Sequence, residues 1–98
     1  MTNDVFYDSA RELIIITHDG KKRYVDLRAN VLDTERNILN EIIGLHEKSW
    51  CNGKMLYDFI TAMQEAINAR FGVDIRALHG RKLNWRSGKI EEETTNEI

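Results

Sequence analysis

Over residues 54–71 the apolar residues recur at helical spacing. Leu56, Phe59, Ile60, Met63, Ala66, Ile67 and Phe71 fall on one side of that segment, and Asp58, Thr61, Gln64, Glu65 and Asn68 on the other. A helix with one apolar face is marginal in water by itself, so this segment demands a second layer to cover that face. The period predicts a helix over residues 54–71. Gly72 stands where a left-handed cap belongs, and Val73 beyond it is placed to fold back onto Ile67.

A second helix is predicted over residues 34–48. Asp33 or Thr34 is placed to cap its free N–H groups, and Glu35 suits the positive end of its dipole. Ile38, Leu39, Ile42, Ile43 and Leu45 or His46 form its expected buried stripe. Gly44 inside it costs about 1 kcal/mol relative to alanine and implies a close backbone approach or a bend. The run Ser49-Trp-Cys-Asn-Gly53 separates the two helices.

Residues 11–28 read as a β-hairpin turning at Asp19-Gly20. A two-residue loop would pair Leu13 with Asp26, whereas a three-residue loop, His18-Asp19-Gly20, pairs Leu13 with Val25. The second register gathers Leu13, Ile15, Val25 and Leu27 on one face and is the one expected from patterning. Ile14, Ile16 and Tyr24 then share the other face with Lys22 and Asp26. Near the end, residues 73–79 and 83–86 both alternate, which predicts a second hairpin aligning Ile75 and Ala77 with Leu83 and Trp85. A short helix from Asp74 to His79 is the rival reading. Hairpin, helix, helix, hairpin is the pattern of a small two-layer α+β domain over residues 1–90, followed by an acidic tail at 91–98.

The chain has 98 residues, enough for one domain and one modest core. Cys51 is its only cysteine, so no intramolecular disulfide can form. The longest aliphatic run, Leu13-Ile-Ile-Ile16, is far below the roughly 20 residues that span a bilayer. The first residues are acidic where a signal peptide is basic, so the cytoplasm is the expected compartment and no membrane partner is expected.

Catalytic and metal-binding patterns find no support. His18, His46, Cys51 and His79 lack metal-site spacing, Ser9, Ser49 and Ser87 lack a nucleophile context, and the glycines are scattered at element ends rather than gathered in a phosphate loop. No catalytic residue, metal or cofactor is expected.

Charge is unevenly spread. Residues 70–90 carry Arg70, Arg76, Arg81, Lys82, Arg86 and Lys89 against Asp74 alone, and the tail carries Glu91, Glu92, Glu93 and Glu97. The formal net charge of −2 hides this. Two function classes follow. In the first, the chain docks on a larger protein and regulates or inhibits it through Trp50, Ile14, Ile16 and Tyr24, or an unpaired hairpin edge takes up a strand of another chain, including a second copy of itself as a homodimer. In the second, Arg76, Arg81, Lys82, Trp85 and Arg86, with Lys21, Lys22 and Arg23 in the other hairpin, grip a nucleic acid that the acidic tail screens. The first is preferred, because the basic residues are far from a domain-wide excess.

Overall fold

Asp19 and Gly20 decide the register of the first sheet. Both adopt left-handed backbone conformations (φ 52° and 78°), the pair that closes a two-residue hairpin loop with the twist of its strands. In the computed structural model, which describes residues 3–92, strand β2 (Leu13–His18) therefore pairs with β3 (Lys21–Asp26) as Leu13 with Asp26, Ile14 with Val25, and His18 with Lys21. This overturns the three-residue loop expected from patterning. Leu27, which that register required on the strand, instead starts a 3₁₀ turn, Leu27–Ala29, whose Arg28 N–H donates to the Asp26 carboxylate.

A strand that patterning missed, β1 (Asp4–Asp8), pairs antiparallel with the other side of β2, giving the order β1-β2-β3. Its apolar stretch is only Val5-Phe6-Tyr7 between acids, too short to announce itself. With β1 in place, the inner face of the sheet carries Val5, Ile14, Ile16 and Val25, all buried in the core. Phe6, Ile15 and Tyr24 line up across the outer face.

Helix α1 (Glu35–His46) starts on Thr34, whose hydroxyl accepts from the Asn37 N–H at 3.1 Å. Only Ile38 and Leu45 of the expected stripe are buried, with Ile42 partly so, while Leu39 and Ile43 remain 54% and 44% exposed. The helix thus presents a narrower face than its composition suggests. A Cβ on Gly44 would meet nothing within 4 Å, so no close backbone approach explains that glycine. Helix α2 (Gly53–Phe71) is capped by Asn52 at one end and by Gly72 (φ 71°) at the other. It buries Met55, Phe59, Ala62, Met63, Ala66 and Ile67 against β1, β2 and α1. Its stripe is rotated from the expected one, leaving Leu56 half-buried and Ile60 exposed.

The rival reading holds at residues 74–79: Asp74 caps a 3₁₀ turn, Ile75–Leu78, rather than opening a strand. Gln64 of α2 holds this turn, accepting from the Ile75 N–H and donating to Asp74. The second hairpin exists one step further on, as β4 (Arg81–Asn84) and β5 (Lys89–Glu92), pairing Leu83 with Ile90. It forms a separate sheet. The hairpin is tied to the segment before α1 by a Leu83 N–H donating to the Asp33 carbonyl at 2.7 Å and by the Trp85 indole donating to the Leu32 carbonyl at 3.0 Å. One core unites both sheets and helices in a small α+β domain. Glu91 and Glu92, assigned to the tail from sequence, belong to β5; residues 93–98 lie outside the described residues. Among the described residues, no helix is long and apolar enough to cross a membrane.

Candidate functional site

The residues expected to meet a protein partner do not converge. Ile14 (0% exposed) and Ile16 (2%) are core residues, because the true register turns them toward the helices and not toward a partner. Tyr24 lies on the outer sheet face, half-exposed beside Ile15. Trp50, partly buried in the α1–α2 connection, stacks on His18 with ring centroids 4.2 Å apart and planes within 9°.

The residues expected to grip nucleic acid are mostly engaged within the protein. Trp85 is 1% exposed and meets Phe71 edge to face at 4.9 Å, so its ring is not open to a base. Of the two placements the sequence allows, core or stacking ring, the burial is that of a core residue. Its indole N–H is satisfied by a carbonyl, which lets so large a ring sit in the core. Arg76 pairs with Asp74, whose carboxyl is held below its ordinary range chiefly by the Arg76 side-chain hydrogen bond. Arg86 donates to the Arg28 carbonyl, while Arg81 and Lys82 stand across β5 from Glu92 and Glu91.

Two other surfaces stand out. The first is the outer edge of β1. Among the described residues, no backbone hydrogen bond joins that edge to another element. A groove of about 280 Å³ runs beside it, walled by Val5, Phe6 and Tyr7 of β1 and by Asp58, Thr61 and Glu65 of α2. No residue of β2 lines it, which places it on the side of β1 facing away from the sheet. Its charge is acidic: Asp58 pairs with Lys54 at 2.6 Å, and Glu65 has no cation within ion-pair distance among the described residues. Burial raises the Tyr7 hydroxyl above its ordinary range, with Glu12 and Glu65 adding to the shift. On the outer face the groove is continuous with the row Phe6, Ile15 and Tyr24, in which Phe6 is 57% exposed.

The second is a cleft of about 470 Å³ at the opposite corner, between the tip of the β2–β3 hairpin and the α1–α2 connection. Lys21, Lys22 and Arg23 line it from β3, Lys48 from the connection, and the stacked His18 and Trp50 form one wall. Arg23 reaches Glu41 only at 3.6 Å.

The β1 strand was invisible to pattern reading because five residues with three apolar ones carry no measurable period. The signal that could have found it is the Val5-Phe6-Tyr7 triplet set before the strongly aliphatic β2, which needs neighbours on both sides. Among the described residues, no group of three or more His, Cys, Asp or Glu side chains is arranged to hold a metal ion. Cys51 is partly buried, and that burial raises its thiol pKa, which disfavours the reactive thiolate. Comparison of the chain with protein-family models, with curated proteins and with solved structures gave no match.

Proposed function

We propose that this protein is a small, non-enzymatic docking module of the cytoplasm that accepts an extended segment of a larger protein along β1 and thereby regulates or inhibits that partner. The observation that carries this reading is the contrast between the two sheet edges. β3 exposes Lys21, Lys22 and Arg23, the kind of charged edge that resists strand addition. β1 carries Val5, Phe6 and Tyr7 at its centre, unpaired on one side and bordered by a groove. An added strand gains main-chain hydrogen bonds there, and its alternate side chains divide between two environments. Those on the outer face extend the row of Phe6, Ile15 and Tyr24. Those on the inner face meet Asp58 and Glu65.

The preferred ligand is therefore an extended segment alternating apolar and basic residues. A homodimer through this edge is disfavoured. Two β1 strands pairing antiparallel around Phe6 would set Asp4 against Asp8 twice, and like charges directly opposite are destabilising. The nucleic-acid reading has less support, since its aromatic residue is in the core.

The test is recovery of the partner from the native host with nuclease present, followed by hydrogen exchange on the purified complex. Protection is expected at Asp4–Asp8, and Glu65→Lys should weaken binding about tenfold, as reversal of a charge facing a basic side chain does. Protection confined to Arg81–Glu92, or a partner lost on nuclease treatment, would overturn the reading.

A further inference from the structure

Three cations, Lys21, Arg23 and Lys48, converge on the cleft beside the β2–β3 hairpin, and no carboxylate lines it, although Arg23 also meets Glu41 at 3.6 Å. Protection of a sheet edge accounts for lysines spaced along a strand, but it does not account for Lys48, which reaches the same cleft from a different element. Lys21 and Arg23 alternate with Lys22 along β3 and share the inner face with Ile16 and His18, so they are turned toward the layer from which Lys48 approaches. Like charges brought together in a concave site repel one another and focus a positive potential, which a bound anion relieves.

The walls narrow the chemistry. Arg23 offers a planar fork suited to two oxygens of one phosphate, and the lysines offer compact charges able to meet neighbouring phosphates. The His18–Trp50 stack supplies a flat aromatic wall, fixed on one side by a hydrogen-bond contact of 3.0 Å between His18 Nδ1 and Asn3 Oδ1. The cleft volume of about 470 Å³ lies in the range of small-ligand sites.

We infer that the cleft framed by Lys21, Arg23, Lys48 and the His18–Trp50 wall binds a small ligand carrying adjacent phosphates, such as a pyrophosphate or nucleoside polyphosphate. The site is separate from the β1 groove and stands or falls independently of strand docking. Binding neutralises the cleft without any chemical step.

Calorimetric titration of the full chain at about 50 mM salt, where exposed charges are only partly screened, tests this with inorganic pyrophosphate, ATP, orthophosphate and a ten-residue oligothymidylate. Pyrophosphate and ATP should bind, more tightly than orthophosphate, and Lys48→Glu should weaken both about tenfold or more. Lys89→Glu, in the other basic region, should leave them unchanged. ATP binding more tightly than pyrophosphate identifies the nucleotide as the source, through contact of its base with the aromatic wall. Equal affinities identify the polyphosphate alone. Circular dichroism of the Lys48→Glu variant separates lost binding from lost fold. No binding of either ligand, orthophosphate binding equally well, binding indifferent to Lys48, or oligothymidylate binding more tightly than ATP would each overturn the inference.

Discussion

The protein has two basic regions, each with a tryptophan, and they are built to opposite ends. Around Trp85 three of the six positive charges, those of Arg70, Arg76 and Arg86, are held by partners within the protein. Arg70 donates to the carbonyls of Trp85 and Arg86, Arg76 is paired with Asp74, Arg86 donates to the Arg28 carbonyl, and the acids of β5 stand opposite Arg81 and Lys82. Around Trp50, Arg23 meets Glu41 at 3.6 Å, and Lys21, Lys22 and Lys48 have no carboxylate within ion-pair distance among the described residues. The first region uses its charge to clamp a hairpin onto the core. The second leaves its lysines without such partners. Counting charges along the chain ranks the first region higher, yet what matters for a ligand is how much charge the fold leaves unanswered.

The largest expected difference is between the tryptophans. Trp85→Ala should cost about 3–5 kcal/mol, the range for removing a fully buried large ring, and Trp50→Ala about 1 kcal/mol, since its ring is only partly covered. Urea unfolding measures both, and equal losses would erase the contrast. Next, Arg70→Ala should lower stability by about 1–2 kcal/mol by removing two donors to backbone carbonyls, while Lys48→Ala should stay within about 0.5 kcal/mol.

A third test uses pH. Arg76 holds the Asp74 carboxyl below its ordinary value, so the folded state binds that proton less readily than the unfolded chain. The stabilisation is complete above the unfolded carboxylate range and is lost as pH falls through the lowered folded value. The stability gap between wild type and Asp74→Asn should therefore be open at pH 7 and close in acid. A gap independent of pH would assign Asp74 a purely geometric role. The smallest effect belongs to the cleft: Lys48→Gln should raise stability by a few tenths of a kcal/mol at low salt and less at high salt. A loss instead would mean that Lys48 is already neutralised.

Much of the framework was legible in the residues. The period around Phe59 and Met63, the Gly72 boundary of α2, and the Thr34 cap of α1 are local signals, and local signals survive folding. The sites were less legible. Side-chain parity alone leaves Ile14 and Ile16 open between core and interface, because a one-residue difference in the loop changes which β3 side chains share their face. The sequence leaves Trp85 open between a core residue and a stacking ring because nothing near it in the chain reveals Leu32, whose carbonyl satisfies its N–H.

By itself the sequence determined the helices, the position of the first hairpin's turn and the α+β class, since capping, period and turn chemistry act over a few neighbouring residues. Only the tertiary structure decided which aromatic rings are covered, which sheet edge is open and which cations are left unanswered. Those outcomes depend on contacts between residues far apart in the chain, such as Trp85 with Leu32 and Arg70 with Arg86, and no local pattern encodes a partner that distant.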